Sequence, residues 1–264
     1  MKVKVIKVGG AFLDDPSISA DFFAALYAAQ EQQPIVLVHG GGSSVEKLLK
    51  NLSLSSHKLN GLRVTPKSQI DYVVGALAGT ANKNLCALAK KSGLIPVGLS
   101  LLDGNITNCH QISEELGNVG SAEPIDQTLL TTLLAAGFLP IVSSIGADDQ
   151  GELLNINADQ AATAIAKLLN AQLVLLSDVA GVLDQNKSLI NKLTSDDIET
   201  LISDGVIRDG MTVKVEAALD AANQIGQSVT IASWKNLDIL TQDTPTEENA
   251  SAGTTIFPSS KENK

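Results

Sequence analysis

Two glycine turns near the start of the chain, Lys7-Val8-Gly9-Gly10 and His39-Gly40-Gly41-Gly42, combine residue types suited to anion chemistry. Each ends an apolar run typical of a buried strand, Val3 to Ile6 and Ile35 to Val38, and each leads toward a helical pattern. Glycine lets backbone N–H groups approach an anion closely, and a helix N-terminus adds a favourable dipole. One such turn is a weak signal. Two, the first with a lysine, point to a site that handles more than one anionic group, as phosphoryl transfer requires. Further along, Asn155-Ile156-Asn157-Ala158-Asp159 places two amides two residues apart, so that in an extended segment both face one side, with a carboxylate at the start of a helix. The chain has only two arginines, Arg63 and Arg208. The first sits on one arm of an expected hairpin around Asn60-Gly61, with Lys58 on the other arm.

Strand and helix signals alternate along most of the 264 residues, which favours a mainly parallel sheet covered by helices on both faces. Helices are expected at Ser17 to Gln32, Ser43 to Leu52, Pro66 to Lys91, Ile125 to Ala136, Ala158 to Leu169, Thr194 to Ile202 and Met211 to Ile225. Thr65-Pro66 reads as the cap and first turn of the longest of these. Buried strands are expected at Leu139 to Val142, Gln172 to Leu176 and Val229 to Ala232, and the stretch from Ile95 to Glu123 reads as short strands and turns. The polar tail from Ser259 to Lys264 reads as frayed.

With 44% apolar residues the chain can fill a sizeable core. Net charge of −10 and pI near 4.7 argue against a nucleic-acid binder, so an anionic ligand must be held by a few placed cations and amides against an adverse overall field. No apolar run is long enough to span a bilayer and no signal peptide is legible, so the expected location is cytoplasmic, with no membrane partner. Cys86 and Cys109 lack ligand-like spacing and read as structural thiols, and no dedicated metal cage is visible.

Lys7-Val-Gly-Gly, His39-Gly-Gly-Gly, Asn155-Ile-Asn-Ala-Asp159, Ser177-Asp-Val-Ala-Gly-Val-Leu183 and Gly210-Met-Thr-Val-Lys214 occur in the order seen in the amino acid kinase family, which the chain resembles from residue 2 to about 257. One departure is Thr255, where relatives often carry arginine. The resemblance implies a three-layer αβα sandwich of the α/β class, with an N-terminal lobe over residues 1–170 for the amino-acid substrate and dimerisation, and a C-terminal lobe over 171–264 for ATP. It implies transfer of phosphate from ATP, with Mg2+, to the side-chain carboxylate of N-acetyl-L-glutamate, an early step of arginine biosynthesis. Lys7 and Lys214 would neutralise the transferring group, with Asp159 facing both lysines. Gly41, Gly42, Arg63, Asn155 and Asn157 would bind the acceptor, Arg63 through its α-carboxylate. Gly10, Asp178, Val179, Ala180, Gly181, Val182, Leu183, Val206, Ile207, Arg208, Asp209, Gly210, Met211, Thr212 and Val213 would line the nucleotide site.

A carboxylate is already ionised near pH 7, so the acceptor needs no general base and His39 reads as structural. The alternatives are another small-molecule kinase of the same fold, acting on carbamate, glutamate, aspartate or UMP, or a catalytically silent sensor. The first strand begins near residue 2, and the family's arginine-inhibited members carry an added N-terminal helix. The resemblance therefore implies a homodimer unaffected by arginine, with the helix from Pro66 as its contact.

Overall fold

The computed structural model describes residues 2–13, 16–59, 61–242 and 252–259. The chain opens with β1 (Lys4–Val8), α1 (Gly10–Leu13) and α2 (Pro16–Gln30), then β2 (Ile35–His39) and α3 (Gly42–Asn51). A hairpin of β3 (Lys58–Leu59) and β4 (Leu62–Arg63) follows; Asn60 at its turn lies outside the described residues, as do residues 260–264 of the polar tail. Next come α4 (Ile70–Val74), a π-helical segment (Gly75–Ala81) and α5 (Asn82–Lys91). The middle of the chain holds β5 (Pro96–Ser100), β6 (Thr107–Gln111), β7 (Val119–Pro124), α6 (Thr128–Ala135), β8 (Leu139–Ser143), β9 (Ile145–Ala147) and β10 (Leu153–Ile156). Beyond them lie α7 (Ala158–Leu169), β11 (Gln172–Ser177), β12 (Lys192–Leu193), α8 (Ser195–Ser203), α9 (Gly210–Ile225), β13 (Val229–Ser233) and β14 (Thr254–Ile256).

The main sheet runs β12-β14-β13-β11-β1-β2-β8-β5. From β13 through β5 every pairing is parallel, and only β14 joins β13 antiparallel. Period-two alternation splits the central strands between two cores. Val5, Val36, Val38, Val142 and Leu173 pack with α7 and α9 on one face. Ile6, Val8, Ile35, Leu37, Ile141 and Val174 pack with α2 and α5 on the other. This is the three-layer αβα arrangement expected from the alternating pattern. No helix among the described residues is long and apolar enough to cross a membrane.

Two of the departures from the expected elements bear on the site. The helix expected from Pro66 starts at Ile70, because Thr65 is claimed by a strand-like bridge. Its N–H donates to Leu116 O at 2.9 Å, and its carbonyl accepts from Asn118 N at 2.7 Å. Its hydroxyl turns back to Arg63 O at 3.0 Å instead of capping a helix. The second is a four-stranded sheet, β6-β7-β10-β9, in which Asn155 pairs with Val119 in parallel and with Ile145 antiparallel. Its strands are short, with no long alternating pattern to reveal their pairing. At position 255 the departure from the family pattern is absorbed by packing: Thr255 is buried and its hydroxyl lies 3.3 Å from that of Thr230.

Candidate active site

The two glycine turns and the segment from Ser177 emerge at the carboxyl ends of the parallel strands β1, β2 and β11, the edge at which open α/β sheets bind ligands. The two glycine turns touch there. A Cβ added at Gly10 would sit 3.2 Å from Gly42 N and 3.1 Å from Ser43 Oγ, while Ser43 donates to Gly10 O at 3.3 Å. Glycine at position 10 is thus what allows the turns to close on one another.

On the β2 side, Gly40, Gly41, Gly42, Lys58, Arg63, Ser144, Asn155, Asn157 and Ala158 surround a cavity of about 160 Å³, with Val45, Leu77, Val119 and Ile156 as its apolar walls. The five residues expected to bind the acceptor all line it. Asn157, however, does not project its oxygen into the cleft beside Asn155. That oxygen caps α7, accepting from Asp159 N at 2.8 Å and Gln160 N at 3.3 Å. Asn155 donates to Thr65 Oγ1 at 3.2 Å, which ties the cleft to the bridge that displaced the expected helix start. Arg63, its side chain 7% exposed, donates from Nη2 to Gly42 O and Glu46 Oε1 and from Nη1 to Ser56 Oγ.

At the end of β1, Lys7 Nζ lies 2.9 Å from Asp159 Oδ1, and both line a pocket of about 60 Å³ together with Lys214, Ser177 and Ala217. The expected bridge from Asp159 to both lysines is only half present. Lys214 instead pairs with Asp178 Oδ1 at 3.2 Å, because α9 starts beside the end of β11. The lysine's hydrogen bond is the main reason the Asp178 carboxyl is held below the usual carboxylate range.

On the β11 side, Val179, Ala180, Gly181, Val182, Leu183, Val206, Arg208 and Met211 line a largely apolar cleft of about 350 Å³. Gly181 has φ +147°, and an added Cβ would meet Thr254 Oγ1 at 2.5 Å and Thr254 N at 3.0 Å. Other residues expected there are placed differently. Ile207 is buried in the core beneath, Gly10 belongs to the glycine turns, and Asp178 holds Lys214. Asp209, with φ +53°, precedes Gly210 at the start of α9, and neither they nor Thr212 line the cleft. Val213 faces solvent at 64% exposure.

His39 is fully buried, and desolvation lowers its pKa to about 4. The ring is therefore neutral near pH 7. Nδ1–H donating to Gly40 O at 2.7 Å leaves Nε2 to accept from Asn82 Nδ2 at 3.1 Å, and Asn82 also donates to Ile141 O at 2.8 Å. A histidine so occupied is a structural post under the second glycine turn. Both thiols are free, Cys86 half-buried and Cys109 buried, and burial pushes both up. Sequence reasoning missed Glu46, Ser56 and Ser144, since a lone polar residue in a helix or loop carries no signal of what it will face.

Paired glycine turns, lysines meeting at one strand edge and separate clefts on either side define a phosphotransferase site on a parallel sheet, and residues 2–233 match the Amino acid kinase family. The chain belongs to that family. It is 55% identical to the acetylglutamate kinase of Mannheimia succiniciproducens, over 91% of this chain and 95% of that one. It is 54% identical to that of Pasteurella multocida over the same shares. Among solved structures, a Streptococcus mutans protein superposes with a TM-score of 0.78 at 31% identity, covering 97% of this chain and 98% of that one. The N-acetylglutamate synthase of Neisseria gonorrhoeae shares the fold with a TM-score of 0.79 at 22% identity, over 97% of this chain and 59% of that one.

Proposed function

We propose that this protein transfers the γ-phosphoryl group of ATP to the side-chain carboxylate of N-acetyl-L-glutamate, making an acyl phosphate. The observation that carries the reading is the lining of the β2-side cavity: Lys58 and Arg63 for negative charge, Asn155 and Asn157 for amide contacts, apolar walls at Leu77, Val119 and Ile156, and, among the described residues, no carboxylate in the lining itself, Glu46 standing behind it on Arg63. Such a lining suits a dianion with a neutral acylated nitrogen. Among the lining residues a free α-ammonium would find no carboxylate, and Glu46 behind them is engaged with Arg63, which disfavours glutamate and aspartate. The kinases at 52–55% identity carry the acetylglutamate name, which supports the same substrate.

In the reaction a carboxylate oxygen of the acceptor forms a bond to the γ-phosphorus while the bond from that phosphorus to the β,γ-bridging oxygen breaks, and ADP leaves. No proton moves, which matches a site whose one buried histidine is structural. The problem to be solved is repulsion between anions. Lys7 and Lys214 supply positive charge from two sides, Asp159 positions Lys7, and backbone N–H groups of Gly10, Gly41 and Gly42 reach the phosphoryl oxygens. The cleft of residues 179–183 with Val206, Arg208 and Met211 takes the nucleoside. Magnesium travels with ATP on its phosphate oxygens, since the carboxylates nearest the centre, Asp159 and Asp178, are each engaged with a lysine.

On this reading residues 1–170 form the acceptor half and 171–264 the nucleotide half, meeting at Lys7 and Lys214. A cytoplasmic location accords with dependence on ATP and with two free thiols. A homodimer through the outer face of the helix over residues 70–91 is supported by Gly75 and Gly79, where an added Cβ would meet nothing within 4 Å, and by Tyr72 at 41% exposure. The reaction is tested by incubating the protein with MgATP, hydroxylamine and a panel of acids. Hydroxamate should form with N-acetyl-L-glutamate, and equal or faster formation from glutamate, aspartate or carbamate would overturn the substrate assignment.

A further inference from the structure

Arg63 is the guanidinium of the acceptor cavity, and in this structure its donors already serve the protein. Nη2 donates to Gly42 O at 3.0 Å and to Glu46 Oε1 at 2.9 Å, and Nη1 donates to Ser56 Oγ. A guanidinium takes a carboxylate through two parallel N–H bonds along one of two edges, Nη1 with Nη2 or Nε with Nη2. Both edges need a hydrogen on Nη2, and both Nη2 hydrogens are committed. Two bonds to a ligand therefore require one partner to leave. Gly42 O belongs to the backbone at the start of α3, where the glycine turn and helix fix it. Glu46 is a flexible side chain one helical turn further on, 54% exposed, with Arg63 as its ion-pair partner.

We propose that Glu46 is a displaceable counter-anion for Arg63: it holds the guanidinium poised over Gly42, and the acceptor's carboxylate takes its place on Nη2. Glu46 is thus a positioning residue that sets acceptor affinity by competing with it. The inference rests on the acceptor being a carboxylate, as in the reaction proposed above. Charge matching favours Glu46 as the partner that yields, because an incoming carboxylate restores the charge pair that its departure breaks, whereas displacement of Gly42 O would leave Arg63 facing two carboxylates in one half-buried place.

Glu46→Gln keeps the side chain's length and one acceptor oxygen while removing its charge. The expected result is a KM for N-acetyl-L-glutamate lower by about fivefold, the scale of a partly exposed ion pair, with kcat and the KM for ATP within twofold of the parent. Glu46→Ala should move KM in the same direction. In an Arg63→Gln background, followed as kcat/KM, the Glu46 substitution should have no effect, because the competitor has lost what it competes for. An unchanged or raised KM in Glu46→Gln would overturn the exchange and make Glu46 a fixed support that stays on Arg63 while substrate binds. A gain that persists without Arg63 would overturn it in favour of simple repulsion. Calorimetric titration of parent and Glu46→Gln with N-acetyl-L-glutamate reads the exchange independently of turnover. Tight, Glu46-sensitive binding without phosphate transfer would sink the proposed reaction and leave the exchange standing.

Discussion

Lys7 and Lys214 reach one pocket from elements far apart in the sequence, the end of β1 and the first turn of α9, and their partners differ in exposure. Lys7 is 15% exposed against Asp159, whereas Lys214 is 39% exposed against Asp178. Under the proposed reaction each lysine meets charge that grows in the transition state, so Lys7→Ala and Lys214→Ala should each lower kcat by at least about a hundredfold with smaller changes in KM, measured by steady-state kinetics. Arg63→Ala should instead raise KM for the acceptor and leave that for ATP nearly unchanged. An Arg63 variant that altered ATP affinity alone would mean the two clefts have been assigned the wrong way round.

At the scale of elements, the post of His39 and Asn82 joins the end of β2, the middle of β8 and the first residue of α5 behind the second glycine turn. The histidine's pKa is about 4 in the fold against 6.5 for a free imidazole, so the unfolded chain binds an extra proton between those limits. Its contribution is intact above about pH 6.5 and is lost as pH falls toward 4, reaching about 3 kcal/mol. Urea unfolding followed from pH 7 to pH 4.5 should show stability falling, and His39→Gln should flatten that slope. Asn82→Leu leaves Ile141 O and the buried ring nitrogen without their donor and should cost about 2 to 3 kcal/mol at pH 7. A loss below about 0.5 kcal/mol would show that water replaces the amide. In the nucleotide half, Gly181→Ala forces a Cβ into Thr254 and should raise the KM for ATP more than that for the acceptor.

These elements differ in how plainly the sequence announces them. The central strands and the helices α3, α7 and α9 were legible because burial on a sheet or against it imposes a clear period. The glycine turns were legible because only glycine permits their close approach. The start of α4 was not: Thr65-Pro66 has the chemistry of a helix cap, and the competing partner, Gly117 with its neighbours, lies some fifty residues away. The oxygen of Asn157 turns from the expected side for a related reason, since an asparagine before a helix caps the helix first, although the residue lines the cavity. Asp178 and Glu46 show the general limit. Which cation a carboxylate will face is decided by the packing of distant elements, and neither residue type nor spacing encodes it.

For the molecule as a whole, two questions follow from charge and shape. A chain with net charge −10 that gathers two anions must do so locally, and the cations at the site, of which Lys7, Arg63 and Lys214 are each paired with a carboxylate, are the groups available. In the proposed homodimer the outer face of the helix over residues 70–91, where an added Cβ at Gly75 or Gly79 would meet nothing within 4 Å, meets a symmetric copy. Light scattering should give a mass about twice 27.5 kDa. Replacing Gly79 by a bulky tryptophan should shift the protein toward monomer, and an unchanged dimer would place the contact elsewhere.

The position of β1 in the sheet has a consequence for how the molecule is made. One side of β1 pairs with β2, which follows within thirty residues, but on the other side Lys7 pairs with Leu175 of β11. During synthesis at about 5–20 residues per second, β1 waits on the order of ten to thirty seconds with one row of backbone donors and acceptors open, and such edges invite pairing between chains. The proposed boundary at residue 170 divides two binding duties, but it cuts the sheet between β1 and β11. The acceptor half produced alone would carry that bare edge permanently, so the two halves share a job of folding that neither can finish without the other.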